Sequence, residues 1–269
     1  MRINYGTYLN YLKDVGRVVV KVGTSSLTDE YNKLDVSKIA HLVSMIIKEK
    51  KSGKAMVLVS SGAIGAGMGR MGIQARPNQI EDLQAAAAIG QGILMQTYEF
   101  FFNNYGQEVA QILLTREDFT DPTRYSNLSK TIDKLLEWDV VPIINENDTV
   151  ATDEIKVGDN DTLASYVTSG IKADLLIILT DVDGLYNGDP TKPQNTVVEL
   201  VEEIDEEVES WASREGAGFG GMYTKVQAAK RLAGMGIPTV IAKSGLPDVI
   251  NRVFHEQVGT LFTAKEGSE

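Results

Sequence analysis

Six short runs dense in valine, isoleucine and leucine recur along this chain, at 17–22, 55–60, 109–114, 140–144, 175–180 and 238–242. Runs this short and this uniformly apolar read as strands buried on both faces of a sheet. Amphipathic segments separate them. Over 36–50, Val36, Ile39, Val43, Ile46 and Ile47 fall on one helical stripe, and 80–104, 123–137, 161–171 and 222–235 are also helical in character. Strand and helix in alternation predict an α/β fold with a largely parallel sheet covered on both faces. A terminal hairpin is expected over 253–262. Ligands of such sheets sit beyond the carboxyl ends of the strands. The loops that follow Val22, Ser60, Ile144 and Thr180 therefore matter most, and all four are built from small or polar residues.

Composition narrows the function classes. The 269 residues give ample length for a buried core, and no apolar run approaches a membrane span. Residues 1–16 lack the apolar core of a signal peptide. With no cysteine there is no disulfide, thiolate zinc site or thiol nucleophile, which fits a cytoplasmic protein. A formal charge of −11 argues against a nucleic-acid surface, and the acidic run 202–209 reads as a solvated helix face. No membrane partner is expected. Such a chain can hold an anionic ligand only by concentrating lysines and amide N–H groups locally.

Three motifs do so. V-V-V-K-V-G-T-S-S ends a strand in Lys21, Gly23 and hydroxyls; the lysine either snorkels at an edge or stands beside a phosphate, with Gly23 letting a ligand approach. Residues 60–69, S-S-G-A-I-G-A-G-M-G, present amide N–H groups at a helix start, as a carboxylate or phosphate requires. G-F-G-G-M-Y-T-K, 218–225, opens an alanine-rich helix with Lys225 in its first turn, an anion site rather than a surface loop with an incidental lysine. T-D-V-D-G-L-Y-N-G-D-P, from Thr180, could by itself be a turn. The spacing G-x-G-x-x-G at 67–72 and 216–221 lacks the strand context of a dinucleotide site, and no P-loop sequence occurs. His41 and His255 sit in ordinary patterns, with structural roles. Two lysines in anion-binding contexts, without a histidine base, point to phosphoryl transfer onto a nucleophile that needs no deprotonation, such as a carboxylate. Asp161 could hold both lysines.

The run 145–163, N-E-N-D-T-V-A-T-D-E-I-K-V-G-D-N-D-T-L, gathers Asn145, Asn147, Asp148, Asp159, Asn160 and Asp161 around Lys156. Nearly residue for residue it resembles the substrate-binding segment found in the amino acid kinase family, in members that act on the γ-carboxylate of glutamate. The resemblance runs from about Arg17 to Phe262. It implies an open three-layer αβα sandwich with a mainly parallel central sheet, as one domain: a substrate lobe over about 17–172 and an ATP lobe over about 173–262. It also implies Mg-ATP (ATP and Mg2+) and L-glutamate as reactants, in the step that opens proline biosynthesis, with proline as a possible feedback inhibitor and a homo-oligomer, dimer or tetramer. Matched motif to motif, Lys21, Asp161 and Lys225 are the catalytic set. Ser61, Gly62, Ala63, Asp148 and Asn160 bind substrate, Asp148 taking the ammonium and the N–H groups near Gly62 and Ala63 the α-carboxylate. Lys21, Gly23, Thr180, Asp181, Gly220, Gly221, Met222 and Lys225 hold the nucleotide; metal ligands are not assigned. Phe219 replaces a small hydroxyl residue usual in the second glycine loop, residues 1–16 precede the usual start, and the sequence stops where many relatives continue into a PUA domain. The alternatives are acetylglutamate, aspartate or UMP kinases of the same family, or a catalytically silent amino-acid or ATP sensor.

Overall fold

The computed structural model describes residues 5–29, 31, 33–150, 160–212 and 221–264. In chain order the elements are α1 (Tyr5–Asn10), β1 (Arg17–Val22), a 3-10 turn (Thr24–Ser26), α2 (Val36–Lys51), β2 (Ala55–Ser60), α3 (Ala63–Met71), α4 (Ile80–Asn103), β3 (Val109–Leu114), α5 (Glu117–Thr120), α6 (Pro122–Glu137), β4 (Val141–Glu146), α7 (Asn160–Gly170), β5 (Leu175–Thr180), β6 (Leu200–Val201), α8 (Glu206–Ala212), α9 (Met222–Ala233), β7 (Thr239–Lys243), α10 (Val249–His255) and β8 (Thr260–Phe262).

The strands form one sheet in the order β3-β4-β2-β1-β5-β7-β8-β6. Neighbours pair parallel except β7 and β8, which run antiparallel. From β1 the chain builds outward through β2, β4 and β3; from β5 it builds the other way through β7. The order therefore reverses between β1 and β5, where an open α/β sheet leaves a crevice at its carboxyl edge.

Because strand side chains alternate, each strand feeds two cores. Val18, Val20 and Val22 of β1 face a layer made by α2, α4, α10 and Tyr8 of α1. Val19 joins Val57, Val59, Leu176 and Ile178 under α6, α7, α8 and α9. Lys21, two residues beyond Val19, falls on that second face. The three layers are those expected, with helix on both sides of a mainly parallel sheet.

Element limits match the sequence patterns to within a few residues, and the differences have local causes. Strand β4 reaches Glu146 because Leu113 and Leu114 of β3 pair with Asn145 and Glu146, so the polar run begins inside the sheet. The expected hairpin over 253–262 does not form. Val253 belongs to α10, where Val249, Ile250 and Val253 at positions i, i+1 and i+4 bury one helical face; only β8 extends, along β7. The acidic run yields a helix only from Glu206. Tyr8 and Leu12 of the amino-terminal extension are buried in the core, with the Tyr8 hydroxyl donating to the Val258 carbonyl at 3.0 Å. Among the described residues no helix is long and apolar enough to cross a membrane.

Candidate active site

Lys21 is only 4% exposed at the end of a strand whose other side chains are valines and one arginine. An ammonium there needs a counter-charge. Asp161, fully buried in the first turn of α7, supplies it: its Oδ1 lies 2.7 Å from Lys21 Nζ and its Oδ2 lies 3.0 Å from Lys225 Nζ. Thr224 Oγ1 donates to the same Oδ2 at 2.7 Å. Burial alone would raise the Asp161 carboxyl, but the charges of Lys21 and Lys225 outweigh it and hold the group below the usual carboxylate range. One carboxylate thus spaces two cations contributed by β1 and α9. Lys225, likewise 4% exposed, is carried in the first turn of α9, whose unsatisfied N–H groups favour an anion. At Gly23 an added Cβ would stand 3.7 Å from Lys21 Nζ, so glycine keeps open the space next to that ammonium.

A cavity of about 120 Å3 opens beside this cluster. Ser61, Gly62, Ala63, Asp148 and Asn160, the five residues expected to bind substrate, all line it, together with Thr24, Arg76, Asn145 and Glu146. Gly62 adopts φ 103°, a left-handed conformation that turns β2 into α3 and leaves the first N–H groups of α3 facing the cavity end of the strand. Asn160 ties the walls together: its Nδ2 lies 2.8 Å from the Ser60 carbonyl, 2.9 Å from Ser61 Oγ and 2.9 Å from Asn145 Oδ1. Asn160 Oδ1 is buried and, among the described residues, has no donor. A buried acceptor of this kind suits a ligand N–H. Asp148 is pushed up to about 7, chiefly by burial and then by the Glu146 charge, against a lowering effect from Arg76. A carboxyl so placed is costly to ionise until a cation arrives.

The glycines of 60–69 divide into two roles. Gly62 makes the turn, whereas Gly67 lies inside α3, where an added Cβ would meet the Ala86 carbonyl oxygen of α4 at 1.8 Å. Gly90 of α4 returns the approach, its Cβ position being 1.8 Å from the Ala63 carbonyl oxygen. The G-x-G-x-x-G spacing at 67–72 therefore serves helix packing, with Gly72 closing α3 at φ 70°.

Thr180 and Asp181 sit elsewhere. Thr180 Oγ1 and Asp181 Oδ1 are 3.1 Å apart at the end of β5, and Asp181 lines a cavity of about 420 Å3 with Ser25, Ser26, Lys38, His41 and Lys243, beside α2. Gly221 caps α9 and Met222 begins it. Gly220, Phe219, Lys156 and Asp159 lie outside the described residues. Sequence reading missed Thr224, Arg76 and Glu146. Thr224 stands next to Lys225 in M-Y-T-K, but nothing local marks it as a partner of a residue 63 positions away.

Known proteins resemble this chain in sequence and in fold. The amino acid kinase family model matches residues 16–243. The chain is 51% identical over 250 residues to a glutamate 5-kinase of Caldanaerobacter subterraneus subsp. tengcongensis, covering 91% of this chain and 67% of that protein. It is 47% identical over 258 residues to the glutamate 5-kinase of Clostridium tetani, covering 94% and 97%. Among solved structures, a carbamate kinase from Giardia lamblia bound to AMP-PNP superposes with TM-score 0.66 at 20% identity, over 94% of this chain and 99% of that one. UMP kinase from Bacillus anthracis gives 0.63 at 14% identity, over 93% and 97%. The last two speak to the fold alone.

Proposed function

The chain belongs to the amino acid kinase family and groups there with the glutamate 5-kinases, and from that membership and the site geometry we infer that it phosphorylates the γ-carboxylate of L-glutamate with ATP. The observation that carries the chemistry is the buried Lys21–Asp161–Lys225 cluster beside a cavity holding Asp148. A γ-carboxylate oxygen attacks the terminal phosphorus of ATP; the bond from that phosphorus to the bridging oxygen breaks, and ADP leaves with the electron pair. The acceptor is already ionised, so no base is required. Catalysis then consists of alignment and of neutralising charge on the moving phosphoryl group.

Lys21 and Lys225 provide that neutralisation from two elements, and Asp161 keeps both aimed at the same point. Asp148 takes the substrate ammonium, with the Asn160 amide oxygen as a second acceptor, while the N–H groups at Gly62 and Ala63 face the α-carboxylate. Thr180, Asp181 and the start of α9, from Gly221 and Met222, are assigned to the nucleotide. In this reading the β4–β2 side of the sheet serves substrate and the β5–β7 side serves ATP. Among the described residues no group of three or more His, Asp or Glu side chains is placed to hold a metal. Mg2+ brought in with the nucleotide would not require such a group, and would supply neutralisation of phosphate charge.

The test is ADP release from Mg-ATP with L-glutamate, L-aspartate, N-acetylglutamate or UMP offered separately. Release that depends on glutamate alone is expected. Release with another acceptor only would overturn the substrate assignment, and ATP binding without turnover on any of them would leave a sensor.

A further inference from the structure

The lining of the substrate cavity contains three ionisable side chains among the described residues: Glu146, Asp148 and Arg76. Among those described residues Arg76 is the only cation. It lies on the segment between α3 and α4, outside helix and strand, in A-R-P, where the following proline disfavours helix. Its side chain is exposed and lines the cavity. Its charge nevertheless reaches the Asp148 carboxyl.

These placements can be matched against the three charges of glutamate. The γ-carboxylate must point to Lys21 and Lys225, which do not line the cavity. The ammonium goes to Asp148. The α-carboxylate is then bound to the same carbon as the ammonium, so whatever neutralises it must stand beside Asp148. The start of α3 offers N–H dipoles there but no full charge, while Glu146 and Asp148 make the cavity repel a second carboxylate. We propose that Arg76 closes over the α-carboxylate of the substrate, opposite the Gly62 and Ala63 N–H groups, and so selects acceptors that carry a free α-carboxylate. A guanidinium forms two parallel hydrogen bonds with a carboxylate, which a lysine cannot reproduce.

This inference rests on the glutamate reading, and a substrate–residue cycle separates the two. The probe is L-isoglutamine, the α-amide of glutamate, which keeps the ammonium and the γ-carboxylate. The wild-type protein is expected to lose about tenfold or more in kcat/KM on changing from glutamate to isoglutamine, the scale of a charge-assisted hydrogen bond. Arg76→Ala is expected to lose a similar factor with glutamate, chiefly through KM, and little with isoglutamine, the KM for ATP staying put. Arg76→Lys should recover part of the loss. Calorimetric titration with glutamate gives the same comparison without turnover, and an unchanged melting temperature shows that the variant folds. Equal losses on both substrates, or none on either, would overturn the role of Arg76. A wild-type protein that neither binds nor phosphorylates glutamate would instead remove the substrate reading, and the Arg76 assignment with it.

Discussion

At the scale of single residues, the site depends on two carboxylates with opposite environments. Asp161 sits between two ammonium groups, whose charges lower its pKa despite full burial. Its contribution to stability is present above the ordinary carboxylate range and is lost only in acid, as pH falls through the depressed folded value. Asp161→Asn would leave Lys21 and Lys225 buried without that charge. Urea denaturation at neutral pH should show a loss of roughly 3–5 kcal/mol, the usual cost of breaking a buried pair from one side. Lys225→Ala removes one arm of the clamp and is expected to lower kcat roughly 100-fold or more, about 3 kcal/mol of transition-state stabilisation; a steady-state assay with saturating glutamate and ATP reads it. Asp148 behaves the other way. Its folded pKa is raised to about 7, so the ligand-free protein binds an extra proton there and loses stability as pH rises from the carboxylate range to about 7. Substrate ammonium needs the ionised form. The KM for glutamate should therefore fall as pH rises through about 7 and then level off, and Asp148→Asn should abolish that slope along with tight binding.

At the scale of elements, the packing of α3 on α4 sets the cavity wall. Gly67 and Gly90 let the two backbones approach so closely that a methyl group at either would overlap a carbonyl oxygen. Gly90→Ala must push on Ala63, the first residue of α3, whose N–H groups border the cavity. The expected result is a loss of about 1–3 kcal/mol or more in stability, and a rise in the KM for glutamate larger than that for ATP. Thermal melts and steady-state kinetics check both; an unchanged glutamate KM would mean that α3 is not part of the substrate wall. Most elements were legible in the sequence because strands buried on both faces leave sharp Val- and Ile-rich runs. Strand β6 has only two residues and leaves no pattern. Helix α10 was misread because its apolar residues, closely spaced with Phe254, fit an extended segment as well as a short helix. The spacing at 67–72 was rightly set aside as a nucleotide motif, yet its packing role needs α4 to be seen. Likewise Lys21, Asp161 and Lys225 were each legible as residues in anion-binding contexts or a matched motif. Thr224 and Arg76 were not, since their importance lies in convergence of segments far apart in the chain.

For the whole molecule, the order β3-β4-β2-β1-β5-β7 puts the reversal of connections between β1 and β5, and the buried cluster forms around Lys21 at that place. Topology and charge thus select the same edge of the sheet. In an acidic chain of net charge −11, the buried Lys21 and Lys225 bring two positive charges together at that edge, the local concentration that the proposed binding of an anionic nucleotide requires. The most direct measurement is to trap the product of L-glutamate and Mg-ATP with hydroxylamine, which converts an acyl phosphate to a hydroxamate. The account predicts γ-glutamyl hydroxamate in amounts matching ADP, and none from Lys225→Ala on the same time scale. ADP formed without hydroxamate would mean that water or another group, not the γ-carboxylate, receives the phosphoryl group, and would contradict it.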